Sequence, residues 1–277
     1  MLKRIEGDGV TLAVQDEGEG PPVLLIHGFP DSHRLWRHQV RALVGAGKRV
    51  IAPDLRGFGE SDRPEEVGAY GVRHSVGDML AVLDALEVER AQVVGHDWGA
   101  AVAWALAAFV PERVERLAVL SVGHPGTLSE PSIEQREKSW YMLFFQFADV
   151  AETVLQRDDW RLMREWLRDN GDVEDCIAGL SRPGALTAAL NWYRANVPPA
   201  AQLREGGSSF PAVTVPTLGI WSSGDDYLTE APMAGSGEHV DAEWRYERIE
   251  GASHWMQVDE PDRLNELLLD FLALRAG

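Results

Sequence analysis

Residues 91–109 constrain the fold of this chain more than any other stretch. Ala91 Gln92 Val93 Val94 is short and largely apolar, Gly95 His96 Asp97 Trp98 Gly99 follows, and residues 100–109 are Ala-rich without Gly or Pro. That order reads as strand, sharp turn, helix. A turn this tight strains its central residue and tolerates only small neighbours, which Gly95 and Gly99 provide. Asp97 is therefore expected at the tip, presented to the cleft at the strand ends.

The rest of the chain repeats the alternation. Strand-like runs at residues 11–14, 23–26, 49–52, 92–94, 117–122, 217–221 and 244–249 are interleaved with helix-like segments at 34–44, 76–86, 100–109 and 263–274. Several runs are apolar throughout, as strands covered on both faces must be. The expected fold class is α/β, a mostly parallel doubly wound sheet. Between about Pro125 and Pro216 the strand signal vanishes and helices are expected at 134–147, 150–155, 160–168, 174–180 and 184–196, with a Pro-, Gly- and Ser-rich run at 197–216 leading back. The organisation implied is a core built from residues 1–124 and 216–277, interrupted by a helical cap over 125–215. Beside the carboxyl ends of parallel strands, such an insertion roofs the crevice where these sheets bind ligands.

Composition removes several function classes. Among 277 residues, 45% apolar and 25% charged, no apolar run is long enough to span a bilayer, so no membrane partner is expected. The start, Met1 Leu2 Lys3 Arg4 Ile5 Glu6, has basic residues but no apolar stretch of signal type, which points to a cytoplasmic protein. A net charge of −18 repels nucleic-acid phosphates and favours small neutral ligands. Cys176 is the only cysteine, so no intrachain disulfide forms. The histidines lack metal-ligand spacing and the glycines lack a dinucleotide fingerprint, so neither a metal nor a cofactor is expected.

A carboxylate nucleophile forms an ester with its substrate, and water must then be activated to cleave it by a base that carries its own orienting acid. His254, in Gly251 Ala252 Ser253 His254 Trp255, follows the last strand-like run. Asp225 follows the run before it, with Asp226 as an adjacent alternative. Nucleophile, acid and histidine thus occur in that chain order, each at a strand end. His27 Gly28 Phe29 Pro30 ends another core strand.

These motifs, together with Asp54 Leu55 Arg56 Gly57 Phe58 Gly59 Glu60 Ser61, resemble those of the α/β hydrolase superfamily and, within it, the soluble epoxide hydrolases. The resemblance spans nearly the whole chain and is most specific at residues 27–30 and 96–99. It implies that Asp97 is the nucleophile, that Asp225 orients His254, and that the backbone N–H groups of Phe29 and Trp98 form an oxyanion hole. It further implies that Tyr141, in Ser139 Trp140 Tyr141 Met142, and Tyr193, in Asn191 Trp192 Tyr193 Arg194, bind and protonate the oxirane oxygen. The partners implied are a small, largely apolar epoxide and water.

Haloalkane dehalogenases share the aspartate nucleophile, the His–Asp pair, the cap and a Trp after the nucleophile. They commonly place an Asn after His-Gly to hold halide, where this chain has Phe29, whose side chain cannot donate. Acyl transfer to a serine is excluded by Asp97. A non-catalytic receptor on the same fold would be marked by a lost triad member or a lost tyrosine, and none is lost.

Overall fold

The computed structural model describes residues 2–128, 131–200 and 210–273. Eight strands form one sheet in the order β1-β2-β4-β3-β5-β6-β7-β8. They are β1 (Lys3–Glu6), β2 (Thr11–Glu17), β3 (Pro22–Ile26), β4 (Arg49–Pro53), β5 (Ala91–His96), β6 (Val114–Leu120), β7 (Thr217–Ser222) and β8 (Trp244–Ile249). From β4 to β8 every neighbouring pair is parallel, whereas β2 runs antiparallel to both β1 and β4. The expected α/β sheet is present, with an antiparallel edge that the hydrophobic pattern did not announce.

Burial follows position in the sheet. All six residues of β5 and of β7 are buried, and their β-branched and aliphatic side chains are covered from both sides. In the edge strand β1 only Ile5 is buried. Lys3, Arg4 and Glu6 give that edge the charge that discourages pairing with a second chain, and they also erase the apolar signature of a strand.

Around the sheet lie α1 (Arg37–Gly45), α2 (Val72–Ala85), α3 (Trp98–Phe109) and, after the insertion, α9 (Glu230–Ala234), α10 (Met256–Asp259) and α11 (Pro261–Leu272). The inserted helices between β6 and β7 are α4 (Ile133–Lys138), α5 (Trp140–Phe144), α6 (Val150–Trp166), α7 (Val173–Leu180) and α8 (Ala185–Asn196). Residues 134–147, expected as one helix, divide at Ser139, whose ψ of 15° closes the first helix and opens the second. Non-helical backbone at Arg157–Trp160 breaks α6, in keeping with the two shorter helices expected there. Of the connecting run at 197–216, residues 201–209 lie outside the described residues, as does Leu274 at the end of the last expected helix.

The insertion is tied to the core by polar contacts around its rim. Arg37 pairs with Asp172 through both guanidinium nitrogens at 2.6 and 3.1 Å, Arg182 pairs with Glu60 at 2.7 and 3.0 Å, and the Trp192 indole N–H donates to the Arg56 carbonyl at 3.0 Å. Within the insertion, Arg194 grips Glu152 at 2.8 and 3.0 Å, with both side chains largely buried. No helix among the described residues is long and apolar enough to cross a membrane.

Strand order reverses about β3, which sits between β4 and β5. The chain therefore leaves β3 and β5 toward opposite sides, and a crevice opens beyond their carboxyl ends. Phe29 follows β3 and Asp97 follows β5.

Candidate active site

Asp97 has φ 51° and ψ −123°, a left-handed conformation that costs a non-glycine residue on the order of 1–3 kcal/mol. The surrounding packing enforces it. A Cβ on Gly95 would meet the Gly99 carbonyl, and one on Gly99 would meet the carbonyls of Ile26 and His27, so only glycine lets the turn close against β3. Asp97 also stands at the amino end of α3, where the helix dipole favours a negative charge.

The loop after β3 is organised around the same carboxylate. His27 is fully buried, and its Nε2 accepts the Leu55 N–H at 2.9 Å, so its proton lies on Nδ1, which donates to the Gly28 carbonyl at 2.8 Å. That carbonyl and the Phe29 N–H belong to one peptide group. With the oxygen held by His27, the N–H points at Asp97 and donates to Oδ1 at 2.7 Å. The neighbouring Trp98 N–H also favours the charged carboxylate. Burial pushes the Asp97 carboxyl above the usual carboxylate range, against the opposing pull of His254 and of these two N–H groups.

His254 and Asp225 arrive from the loops after β8 and β7. His254 Nδ1 lies 2.8 Å from Asp225 Oδ2, and its Nε2 lies 3.8 Å from Asp97 Oδ2. Asp225 is buried, and its other oxygen accepts the N–H groups of Tyr227 and Leu228 at 2.8 and 2.9 Å. Asp226 turns outward to Arg168. Of the two adjacent carboxylates, Asp225 is therefore the one in contact with His254. Burial lowers the affinity of the His254 ring for a proton, but Asp225 and Asp97 outweigh it, and the net shift is upward from 6.5. His96, packed 4.5 Å from the His254 ring, approaches the His254 carbonyl at 3.0 Å through Nε2, and burial holds it neutral.

Tyr141 on α5 and Tyr193 on α8 face Asp97 across a cavity whose free volume is about 10 Å³. Their rings meet edge to face at 5.8 Å, and Tyr193 also packs on Trp98 at 5.2 Å. Burial and then the Asp97 charge drive both phenols well above their ordinary range, so both keep their protons at neutral pH. All five side chains singled out from the sequence thus border one small, ring-lined space, or in the case of Asp225 support a group that does.

Three further residues shape the site without a local sequence signal. Asp31 is 7% exposed, accepts the Trp255 indole N–H at 3.0 Å, and has the Cys176 thiol 3.8 Å from its other oxygen. Burial raises its carboxyl to about 7, with the charge of Asp97 adding to the effect and the Trp255 bond opposing it. Trp166 and Tyr227 line the cavity, and the Tyr227 ring packs edge to face on His254 at 5.2 Å.

A strained aspartate at a strand–helix turn, facing a His–Asp pair from later strand ends under an inserted helical layer, is an arrangement of the α/β hydrolase fold. Residues 21–261 match the family model for the alpha/beta hydrolase fold. The chain belongs to the epoxide hydrolase family of the α/β hydrolase fold. It is 34% identical to epoxide hydrolase A of Mycobacterium tuberculosis over 97% of this chain and 96% of that protein. An AB hydrolase superfamily protein of Bacillus subtilis, YfhM, is 36% identical with the same coverage, 97% and 96%. Among solved structures, epoxide hydrolase A of Mycobacterium thermoresistibile superposes with a TM-score of 0.85 at 32% identity, covering 98% of each chain.

Proposed function

We propose that this chain hydrolyses small, largely apolar epoxides to vicinal diols through a covalent ester on Asp97. The observation that carries the reading is the placement of Asp97 opposite two protonated phenols, with His254 Nε2 3.8 Å from its carboxylate. An oxirane held by the Tyr141 and Tyr193 hydroxyls presents a carbon to the Asp97 oxygen. Attack forms the carbon–oxygen ester bond and breaks the ring carbon–oxygen bond, and one phenol transfers its proton to the departing alkoxide. Electrostatics then favour the second step. Asp97 contributes to holding the proton on His254, and esterification removes that charge, so the imidazole becomes a better-populated base as the intermediate forms.

His254, oriented by Asp225, takes a proton from water, and the hydroxide adds to the Asp97 carbonyl carbon. The N–H groups of Phe29 and Trp98 hold the resulting oxyanion until it collapses, breaking the ester bond and releasing the diol, while the proton on His254 passes to the tyrosinate left by ring opening and restores both groups. The side chain of Phe29 offers the cavity a ring and no donor, which supports ring opening over halide displacement.

The test pairs two variants. Asp97→Ala is expected to abolish diol formation from 1,2-epoxybutane. His254→Gln is expected to react once and stop, giving a protein heavier by one epoxide in intact-mass spectra, with the label on the peptide containing Asp97. Retained turnover in Asp97→Ala, or faster halide release from 1-bromobutane than epoxide opening by the unaltered enzyme, would reject the proposal.

A further inference from the structure

One wall of the cavity, packed against Tyr141, is formed by two rings from different parts of the chain. Trp166 ends α6 in the inserted layer, and Tyr227 lies in the loop after β7. The Tyr227 hydroxyl donates to the Trp166 carbonyl at 2.5 Å, and the rings meet edge to face at 5.2 Å. The Trp166 ring also lies 5.9 Å from Phe29 and 4.8 Å from Tyr141, so it spans the gap between the oxyanion loop and the cap phenol. A second contact crosses the same seam just outside, where Arg168 pairs with Asp226.

A free volume of about 10 Å³ is the room one water needs. Any oxirane must therefore displace part of the lining, and the lining is not equally free to move. Tyr227 is anchored at both ends, by its hydroxyl on Trp166 and by its N–H on Asp225 Oδ1 at 2.8 Å. Moving its backbone would pull on the acid that orients His254. Phe29 is fixed by the bond from its N–H to Asp97. Trp166 is only partly buried, and its ring packs on Phe29, Tyr141 and Tyr227, so accommodation falls on that ring and grows with the size of the substrate.

We infer that the Trp166–Tyr227 wall sets substrate size and restricts the enzyme to small terminal epoxides, those with one short substituent on the oxirane. This rests on the ring-opening reading given above. The wall acts on the substrate that reaches Asp97, so its removal changes which epoxide is preferred.

The experiment measures kcat/KM for 1,2-epoxybutane, styrene oxide and trans-stilbene oxide with the unaltered enzyme and with Trp166→Ala, Trp166→Leu and Tyr227→Phe. The unaltered enzyme is expected to favour epoxybutane over stilbene oxide by about a hundredfold or more. Trp166→Ala is expected to narrow that ratio by about tenfold through a higher value for stilbene oxide, and Tyr227→Phe, which keeps the ring and loses the bond, by about threefold. If Trp166→Ala does not fold, Trp166→Leu carries the same comparison. Equal use of all three epoxides by the unaltered enzyme, or an unchanged ratio in the folded Trp166 variant, overturns the size inference alone. Failure of the unaltered enzyme to open any of the three overturns the ring-opening reading and this inference with it.

Discussion

Asp31→Asn should make the protein's stability less sensitive to rising pH, because Asp31 is a buried acid that folding keeps protonated. In the native state its carboxyl ionises at about 7, against 3.8 for the ordinary group. Between those values the folded chain binds more protons at this site than the unfolded chain, so the free energy of unfolding falls as pH rises across the window. Stability from this site is fully present below 3.8 and gone above the native value. The gap of about three pKa units corresponds to about 4 kcal/mol, of which about 2.6 kcal/mol develops between pH 5 and pH 8. An asparagine stays neutral throughout, and its carbonyl oxygen can still accept the Trp255 N–H. Urea denaturation of both proteins at pH 5 and pH 8 reads the effect, since titrating groups not coupled to Asp31 cancel in the double difference. The variant should gain roughly 2–3 kcal/mol on the unaltered protein between the two conditions. A difference between the proteins that stays the same at both pH values would refute the claim that burial holds Asp31 protonated.

Asp225→Asn removes the charge that most strongly offsets burial at His254, so the imidazole pKa should fall and kcat should drop by roughly 10²–10⁴ with the ester accumulating, read as a burst in rapid-quench assays. An unaltered kcat would show that the bond between Asp225 and His254 is not used. Gly99→Ala places a methyl group against the carbonyls of Ile26 and His27, and thermal unfolding should reveal a loss of about 1–3 kcal/mol together with reduced activity. Arg194→Ala leaves the largely buried Glu152 without its partner, at a cost of about 3–5 kcal/mol that should appear as faster proteolytic cleavage within residues 133–196. Cleavage at the unaltered rate would assign the pair no structural weight.

The central strands could be read from the chain because strands buried on both faces are mainly apolar, as β3 is throughout and as β5 and β7 are at Val93, Val94, Leu218, Ile220 and Trp221. The edge strand β1 could not, since one buried isoleucine among charged residues carries no period. The turn at Asp97 was legible because its glycines are demanded locally. Nothing local distinguishes Asp225 from Asp226, and only the path of the chain after β7 turns one inward to His254 and the other outward to Arg168. Asp31 is a further case. Its burial is created by Trp255 and Cys176, 224 and 145 residues away along the chain, so no window of sequence around it carries the signal. Trp166 and Tyr227 likewise acquire their role from a contact across 61 residues.

The position of the helical insertion sets the order in which this molecule is completed during synthesis. β6 and β7 lie side by side, with Leu117 opposite Thr217, yet α4 to α8 must all leave the ribosome between them. A nascent chain that has folded through β6 already holds Asp97 and the loop after β3, but has neither Asp225 nor His254. It also presents the unpaired apolar edge of β6, the kind of surface on which chains aggregate. Interleaving the inserted helices between the two halves of the core therefore delays the meeting of Asp97 with His254 and Asp225 until the last strands arrive, and leaves the edge of β6 open over the interval in which the insertion is made.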